Sequence, residues 1–398
     1  MKWASAISRN PAATEALEEC VQTVQEHLGS GRAAHLALFF ATPHHREAWE
    51  RIAAGVAQRL PGVTVVGCSG AGVIGASQEV EAAPALSLTA GHLPGVNITA
   101  FHLAPDEVPS PDAPPDAWWT TVGVQPEVSP QFMLLVDSFS TPPDALLAGL
   151  DFAYPTGVKI GGLASGGHMG GGNALFLNER AYHGGAVGVA LSGNVIVDTV
   201  VAQGCRPVGD PMCITRADGN LLLSVDEEPP LFVLQRLYER LAPQDQALLR
   251  GDLFLGIAMD PLQDQAHPGE FLIRNLLGSD PKKGVLAVGA LLHEGQVVQF
   301  HVRDAQTSRE DLDQYLKRYA AEERGQASEG AVLFSCIGRG QGLYGQPNHD
   351  SDLFRDVVGG LPLGGFFCDG EIGPVGDTTY LHSYTSSFAI FRPASAPD

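Results

Sequence analysis

The segment HLALFFATPHHREAWERIAAGVAQRLPGVTVVGCSGAG, residues 35–72, contains two apolar runs with a helical pattern between them. The first run, His35–Phe40, has the length and composition of a strand, and apolar residues then recur at helical spacing from about Arg46 to Leu60. Pro61–Gly62 ends that pattern, and Val63–Gly72 passes from a β-branched run into small residues. This order predicts two parallel strands joined by a helical crossover, with glycines at the end of the second strand.

The same order recurs twice further along the chain. Strand-like runs occupy residues 132–136 and 158–160, then 331–335 and 362–368, and helices are predicted between them over about 143–150 and 351–358. The intervals Phe39 to Gly67, Val136 to Gly162 and Phe334 to Gly365 are 28, 26 and 31 residues, which indicates a weak internal repeat. We therefore predict an α/β fold, two-lobed and layered, with repeated strand-helix-strand units.

Glycines follow or end the second strand of each unit, and Gly70, Gly162 and Gly365 belong to these runs. A glycine lets backbone or ligand approach more closely than any side chain would. Ligands of open α/β sheets gather at the carboxyl ends of the strands, so we expect these runs to surround a cleft between the lobes. The alternative is that the glycines serve only tight turns and sheet packing.

Length, charge and hydropathy exclude several classes of protein. A chain of 398 residues is long enough for two or three domains, and 24 basic against 45 acidic residues give a formal net charge of −21, which disfavours nucleic acid as the main ligand. The most apolar stretch, residues 186–202, is interrupted by Asn194 and Asp198 and is interpreted as paired strands rather than a membrane span. The amino terminus has no signal-peptide pattern, so a cytoplasmic location is predicted.

A domain boundary is predicted near residues 226–231, where a charge run and two prolines precede an amphipathic helical pattern. The predicted domains are residues 30–226 and 227–392.

Three arginines lie at predicted element ends: Arg274, Arg303 and Arg339. A partly buried guanidinium needs an anionic partner. That partner is either a protein acid, as Asp304 would be for Arg303, or the carboxylate of a small ligand. In the second case an acid such as Asp137, Asp369 or Glu371 would hold a cationic group of the same ligand.

The glycine loop after the third strand-like pattern contains G-x-G-x-x-G at Gly340, Gly342 and Gly345. It is a weak match to a dinucleotide site, because the following helix is predicted to begin only at Asp350 or Ser351 and several acids surround the loop. No Walker A motif occurs. Nucleotide binding is therefore disfavoured.

The histidines and cysteines form no recognisable metal motif, since neither H-E-x-x-H nor C-x-x-C is present. All six cysteines are predicted to be buried thiols. The pair His44–His45 is predicted to be solvated, whereas His382 either faces the cleft or satisfies a core hydrogen bond. A cysteine nucleophile would be sought among the thiols near glycine-rich strand ends, with His349 or His382 as its base; these thiols are Cys68, Cys336 and Cys368.

Several stretches resemble the FIST family in the order that the family has them. The carboxyl-terminal resemblance lies in residues 271–274, 300–304, 336–340, 362–375 and 381–385, and the amino-terminal one in residues 66–72 and 203–209. The resemblance extends over about residues 30–392 and implies a FIST N-terminal domain followed by a FIST C-terminal domain.

The resemblance implies a sensory, ligand-binding protein of signal transduction, and amino acids have been proposed as ligands of the family. Since the two domains use the whole chain, the signal is expected to pass through a separate protein such as a kinase. We predict a non-enzymatic sensor of an amino acid or organic acid, without membrane insertion. The predicted ligand-binding residues are Arg339, Arg303, Arg274, Asp369, Glu371, His382, Tyr344, Gly70, Gly162 and Gly365.

The sequence leaves three alternative functions open. Some proteins that resemble this chain in length are haem-containing nitric oxide sensors acting on histidine kinases, so haem is a candidate cofactor without an identifiable axial histidine. A cysteine-dependent hydrolase and a purely structural interaction protein are the other two.

Overall fold

The computed structural model describes residues 1–259, 270–322 and 327–394 and divides the chain into two compact units. The first unit comprises Met1–Val201, Leu312–Leu381 and Thr385–Asp398, and the second comprises Ala202–Asp311 and His382–Tyr384. Both helices and mixed sheets are present, so the predicted two-domain α/β class is confirmed.

The strands are numbered in chain order. They are β1 (Lys2–Ser8), β2 (Leu36–Ala41), β3 (Thr64–Ser69), β4 (Gly72–Gly75), β5 (Gln78–Glu81), β6 (Leu86–His92), β7 (Val96–Leu103), β8 (Gln131–Val136), β9 (Lys159–Leu163), β10 (Leu175–Leu177), β11 (Arg180–Tyr182), β12 (Ala186–Gly193), β13 (Ile196–Gln203), β14 (Cys205–Asp218), β15 (Leu221–Val225), β16 (Leu253–Ala258), β17 (Phe271–Asp280), β18 (Val285–Val288), β19 (Val297–Arg303), β20 (Gly330–Cys336), β21 (Leu363–Cys368), β22 (Glu371–Val375), β23 (Thr378–His382) and β24 (Thr385–Arg392).

The helices in the described part of the chain are numbered in the same way. They are α1 (Ala13–Leu28), α2 (Trp49–Arg59), α3 (Pro115–Val122), α4 (Pro143–Ala153), α5 (Pro230–Arg240), α6 (Pro243–Gly251), α7 (Ala305–Ala321), α8 (Gly340–Tyr344) and α9 (His349–Val358), and a 3-10 turn, Pro43–Ala48, leads directly into α2.

Within the described residues, the first unit consists of three six-stranded sheets with the same construction. Their orders are β1-β6-β2-β3-β10-β11, β7-β12-β8-β9-β22-β23 and β13-β24-β20-β21-β4-β5. Each contains one parallel pair, β2–β3, β8–β9 or β20–β21, whose crossover is helical. These pairs are the three predicted strand-helix-strand units. We number the modules 1, 2 and 3 after them.

The modules exchange their hairpins in a cycle. The hairpin β4–β5 follows β3 in the chain but pairs with β21, β10–β11 follows β9 but pairs with β3, and β22–β23 follows β21 but pairs with β9. Strand β1, from the amino terminus, completes the sheet of module 1 by pairing with β6. Each exchanged hairpin covers the edge of another module's parallel pair, so the backbone groups of that edge are hydrogen-bonded.

One glycine in each module is required by the closeness of the parallel pair. These residues are Gly67, Gly161 and Gly365. A Cβ atom added to them would lie 1.7, 1.8 and 1.9 Å, respectively, from a carbonyl oxygen of the residue paired with it on the adjacent strand. No side chain fits at such a distance, so the recurring glycine has a packing function in all three modules.

The core of the first unit lies between the inner faces of its three sheets, where Phe40, Met133 and Phe334 belong to one apolar cluster. Helices cover the outer faces. The helices α1 and α2 pack on the sheet of module 1, and α3 and α4 pack on the sheet of module 2. On module 3, Phe354 of α9 stacks on Phe388 of β24 with ring centroids 5.1 Å apart.

The second unit is a closed barrel with the strand order β14-β15-β18-β17-β16-β19. Its interior is filled by apolar side chains such as Leu255, Val298 and Phe300, and α5 and α6 pack against it through half-buried leucines. The helix expected after residues 226–231 is therefore present as α5.

Four sequence-based expectations need correction. The stretch 186–202 does form two strands, but β12 and β13 belong to different sheets and do not pair with each other. A short helix, α8, already begins at Gly340, ahead of the predicted helix start. His45 is buried, with 2% of its surface exposed, although it was expected to be solvated. Cys205 and Cys213 are only partly buried, unlike the other four cysteines. None of the described helices combines the length and apolar character that crossing a membrane requires.

Candidate functional site

The carboxyl ends of the three parallel pairs meet within the first unit. The Ser69 hydroxyl donates a hydrogen bond to the carbonyl oxygen of Ser165 at 3.1 Å, and the Ser165 hydroxyl donates to the carbonyl oxygen of Phe367. The backbone N–H of Leu163 donates to the carbonyl of Gly370 at 2.9 Å. Modules 1, 2 and 3 are thus linked directly at these strand ends.

At this end of module 3, Arg339 forms a buried ion pair with Asp350. Nε donates to Oδ2 at 2.9 Å and Nη2 donates to Oδ1 at 3.1 Å, and neither side chain is more than 2% exposed. Burial would by itself lower the pKa of Arg339, but the charge of Asp350 outweighs it and raises that pKa. Burial would likewise raise the pKa of Asp350, and the charge of Arg339 holds it well below its usual range. Both groups are therefore charged, and the fork of the guanidinium is occupied by a protein carboxylate.

Aromatic and polar neighbours complete the environment of this pair. The rings of Tyr344 and His349 stack with centroids 3.5 Å apart, and the Arg339 guanidinium lies 5.6 Å from the centroid of the Tyr344 ring. Nδ1 of His349 is 3.0 Å from Oδ1 of Asp350, and the Ser386 hydroxyl donates to Oδ2. The helices α8 and α9 supply Tyr344, His349 and Asp350 because both lie in the crossover of module 3, whereas Ser386 belongs to β24.

Glu371 is completely buried beside two thiols. Its Oε2 accepts a hydrogen bond from the backbone N–H of Thr385 at 3.0 Å, and the Cys368 thiol donates to Oε1 at 3.4 Å. Burial raises the pKa of Glu371 to about 8, against the smaller opposite effects of these bonds, of Cys336 and of the Arg339 charge. At neutral pH this carboxyl is therefore protonated in the folded protein.

The hairpin β4–β5 of module 1 brings two more acids to the same cluster. Glu79 accepts a hydrogen bond from the N–H of Ser351 at 2.8 Å, while its buried Oε2 has no hydrogen-bond partner among the described residues. Burial, and then the charge of Asp350, raises the pKa of Glu79 to about 8. Oε1 of Glu81 accepts from the N–H of Gln341 at 2.9 Å. The amino end of α8, where a dinucleotide fingerprint would hold phosphate, is thus occupied by a carboxylate.

We call Arg339, Asp350, Glu371, Glu79 and Glu81 the module 3 cluster. It contains one basic side chain and four acids. With Glu79 and Glu371 protonated, the remaining charges are the Arg339–Asp350 pair and Glu81. A cationic group that entered the cluster would favour ionisation of the neutral carboxyls. An anion would meet a guanidinium already paired with Asp350 and, beside it, acidic side chains.

Comparison among the modules distinguishes Glu371 from its counterparts. Gly162 pairs with Glu371 in module 2's sheet, and the corresponding hairpin residues in the other two sheets are Val73, paired with Phe366, and Leu175, paired with Cys68. Both Val73 and Leu175 are buried apolar residues. A carboxyl therefore stands where the fold itself accepts an aliphatic side chain.

The other predicted residues of the first unit include an acid, Asp369, and two glycines, Gly162 and Gly70. Asp369 is exposed at the turn between β21 and β22, although burial of part of its carboxyl raises the pKa of that group. A Cβ atom added to Gly162 would lie 3.0 Å from the Cys368 sulfur, and one added to Gly70 would lie 3.1 Å from the Phe366 side chain.

Three predicted residues belong to the second unit. Arg303 pairs with Asp252, rather than with the neighbouring Asp304 weighed from the sequence, and its guanidinium lies 5.4 Å from the centroid of the Tyr384 ring. Arg274 is half-buried on β17 and donates to the carbonyl oxygen of Ile273. His382, at the end of β23, is buried.

Three acids of the cluster were not among the predicted ligand residues: Asp350, Glu79 and Glu81. The sequence indicates Asp350 only as an acid near the glycine loop and as a possible helix start. Glu79 and Glu81 come from a hairpin whose partner strand lies almost 300 residues further along the chain, so no local pattern indicates their destination.

The thiols and histidines show no arrangement typical of catalysis or metal binding. Burial raises the pKa of Cys68 and of Cys368 well above its usual value, so both are protonated and poorly nucleophilic. Among the described residues no group of three or more histidine, cysteine or acidic side chains could hold a metal ion. His349 is buried, with Tyr344 stacked on its ring and Asp350 at Nδ1.

Family models match most of the chain. The FIST N domain matches residues 35–228 and the FIST C domain matches residues 231–374. The chain belongs to the FIST family. FIST domains are sensory domains of signal transduction. The two matches meet at the start of α5, and the predicted limits 30–226 and 227–392 stay predictions.

Two mycobacterial relatives match this FIST protein over nearly its whole length, and a plant relative matches a shorter part of it. An uncharacterized protein of Mycobacterium tuberculosis (strain ATCC 25618 / H37Rv) is 35% identical over 391 residues, which cover 98% of this chain and 100% of the relative. An uncharacterized protein of Mycobacterium bovis is 33% identical and covers 98% and 99% of the two chains. An F-box/LRR-repeat protein of Arabidopsis thaliana is 30% identical over 128 residues, 28% of this chain and 24% of that protein.

Among solved structures, a cyanuric acid hydrolase from A. caulinodans covers 99% of this chain and 100% of its own, with a TM-score of 0.32 and 10% identity. A similarity at that level supports no inference about activity.

Proposed function

We propose that this FIST protein is a cytoplasmic, non-enzymatic sensor that binds a small amine-bearing metabolite, such as an amino acid, at the module 3 cluster. The observation that carries the proposal is the buried Glu371, which occupies a position that is aliphatic in the other two modules. A buried ionisable group without a structural need is costly, and such groups occur preferentially at functional sites.

The charges of the cluster favour a cationic ligand group. Both carboxylate oxygens of Asp350 are engaged by Arg339, so the guanidinium is not free to act as the main receptor of a ligand carboxylate. Glu371 and Glu79 are neutral acids that an ammonium group would ionise. This argument favours the amino acid over the organic acid among the ligands that the family resemblance implies.

The exposed Asp369 suggests how a cation would be attracted to the site. Asp369 lies two residues before Glu371. The carbonyl of Cys368, the residue before Asp369, accepts a hydrogen bond from the backbone N–H of Ile337, a residue that is 46% exposed. A ligand amine would first meet the Asp369 carboxylate and then Glu371. Ionisation of Glu371 would then change its hydrogen bonds with the Cys368 thiol and with Thr385, the first residue of β24. A local change of this kind is one that a partner protein could detect.

The non-enzymatic part of the proposal is supported by two of the three candidate thiols, Cys68 and Cys368, which are protonated. Output through a separate protein such as a kinase remains part of the proposal and is supported by the family's role in signal transduction.

Titration calorimetry with the amino acids, small amines and organic acids tests the proposal. We expect an amine-bearing compound to bind wild type and to release close to one proton, seen as a binding enthalpy that depends on the ionisation heat of the buffer. Glu371→Gln should weaken binding roughly tenfold or more and abolish the proton release. Asp377→Asn, which removes an exposed acid from the neighbouring hairpin turn, is the matched control and should bind like wild type. Absence of amine binding, or undiminished binding by Glu371→Gln, would contradict the proposal.

A further inference from the structure

A cavity on the outer side of module 1 has an electrostatic character opposite to that of the module 3 cluster. Its volume is about 440 Å³, and its lining includes His44, His45, Arg46 and Arg51. It lies beyond the carboxyl end of β2, where the 3-10 turn leads into α2. This is the side of a parallel strand pair at which α/β proteins bind ligands.

Basic side chains dominate this cavity although acids outnumber basic residues in the chain as a whole. Glu47 is the acid in its lining, against two arginines and two histidines. Arg51 is exposed and has no ion pair or hydrogen bond with the described residues. An adjoining cavity shares Arg51 and adds Arg59, which pairs with Glu18. The local excess of positive charge therefore remains available to an anion.

The amino end of one helix, α1, faces the same cavity. Ala13, the first residue of the 16-residue α1, belongs to the lining, and no side chain caps this helix at its N-cap residue Ala12. Uncapped amino ends present backbone N–H groups and a partial positive charge, both of which favour an anion.

An unsatisfied buried side chain in the lining points independently to a ligand. His45 is 2% exposed, and its Nε2 has no hydrogen-bond partner among the described residues. Burial, and then the charge of His44, lowers the pKa of His45, so the ring is neutral at pH 7 and one nitrogen can donate a hydrogen bond. A buried polar atom without a partner is destabilising, and a ligand oxygen would remove that cost.

Arg46 is held in place for such a role. One of its Nη atoms donates to the carbonyl oxygen of Gly172 in the glycine-rich loop after β9, and the guanidinium lies 5.7 Å from the centroid of the Trp49 ring. A guanidinium positioned by two contacts loses less entropy when it binds a ligand than a free one does.

We propose that this cavity binds the phosphate group of a small molecule, either free phosphate or a phosphorylated metabolite. Phosphate presents several acceptor oxygens, which suit the guanidinium groups of Arg46 and Arg51, the imidazole of His45 and the helical N–H groups at once. This site is separate in its residues and opposite in charge from the module 3 cluster, so the proposal does not depend on the amine-binding function.

Titration calorimetry of the full chain at low ionic strength tests this proposal with inorganic phosphate, adenosine monophosphate and citrate. We expect phosphate or the monophosphate to bind and citrate to bind at least about tenfold more weakly. Tighter binding of inorganic phosphate than of the monophosphate would identify free phosphate as the ligand, and the reverse would identify a phosphorylated metabolite.

Arg51→Ala is the decisive variant because Arg51 is exposed and its loss does not disturb the fold. We expect it to weaken phosphate binding roughly tenfold, and Arg46→Ala to do the same. Arg180→Ala removes an exposed arginine from β11 of the same unit and should leave binding unchanged. The proposal is overturned if phosphate does not bind at about 10 mM, if citrate binds equally well, or if Arg51→Ala and Arg180→Ala have the same effect.

Discussion

Glu371 pairs with Gly162 across the antiparallel strands β22 and β9, and its carboxyl accepts a hydrogen bond from the thiol of Cys368. The same glycine is needed because an added Cβ would lie 2.9 Å from the Cβ of Cys368. The hairpin of module 3 thus places an acid against a strand of module 2 at the point where all three strand ends meet. In the proposed function, a ligand that enters the cluster acts on the protonation state of the Glu371 carboxyl.

Glu371→Gln should change how stability depends on pH. Because the folded-state pKa of Glu371 is raised from 4.5 to about 8, the native state holds a proton that the unfolded state releases between these values. Stability is therefore lost as pH rises through this window, by on the order of 1 kcal/mol per pH unit. The glutamine variant should match wild type near pH 5 and exceed it near pH 8 in urea unfolding.

The control for this experiment is Asp377→Asn, whose stability should follow the wild-type curve. Parallel pH curves for wild type and Glu371→Gln would show that the carboxyl is ionised in the native state.

Asp350→Asn should destabilise the first unit strongly. It leaves the guanidinium of Arg339 buried without its anionic partner, and the loss of one member of a buried ion pair costs about 3–5 kcal/mol. Asp313→Asn, which breaks the exposed pair with Lys317 on α7, should have little effect on denaturant unfolding. The fluorescence of the four tryptophans, all in the first unit, reports the transition. Similar midpoints for the two variants would contradict the importance of the buried pair.

Gly161→Ala tests the close packing of the parallel pairs. Its Cβ would lie 1.8 Å from the Leu134 carbonyl oxygen, so β8 and β9 would have to separate, at a cost of about 3 kcal/mol or more. Gly170→Ala is the control, since no atom lies within 4 Å of the added Cβ and a change within about 0.5 kcal/mol is expected. Thermal unfolding of both variants measures the difference, and equal melting temperatures would refute the packing argument.

His301 should make the second unit sensitive to acid. Burial lowers the pKa of His301 to about 4, so the unfolded chain takes up a proton between pH 6.5 and 4 that the folded barrel excludes. Stability is lost as pH falls through this window, by up to about 1.4 kcal/mol per pH unit. The protection of β19 amides against hydrogen exchange, corrected for the intrinsic exchange rate at each pH, should fall on acidification in wild type, and less steeply in His301→Gln. The exposed His293→Gln serves as control, and an equal acid response in all three proteins would exclude His301 as the cause.

The local parts of the fold could be predicted because their signals are local. Apolar runs and helical spacing indicated all three strand-helix-strand units, and the helix predicted over about residues 143–150 corresponds to α4, which begins at Pro143. The destination of the hairpins could not be predicted in this way. Nothing near Glu79 in the sequence indicates that β5 lies beside α9, because that contact depends on the pairing of β4 with β21.

The candidate site shows the same division. Arg339 was identified from its place in a glycine loop, and its need for an anionic partner followed from general electrostatics. The identity of that partner did not, because many acids were available and Asp350 is selected by the geometry of α9. Arg303 pairs with Asp252 instead of its neighbour Asp304 for the same reason. The barrel of the second unit was not predicted, since its strands lack a repeated pattern that separates them from other extended segments.

Residue order and composition alone were sufficient for the family, the α/β class and the three repeated units, since each of these leaves a signature within a short window of sequence. The cyclic exchange of hairpins, the burial of Glu371 and His45 and the partners of the arginines arise from contacts between segments far apart in the chain. The free energy of such contacts depends on distances, dielectric environment and burial, which exist only once the sheets have assembled.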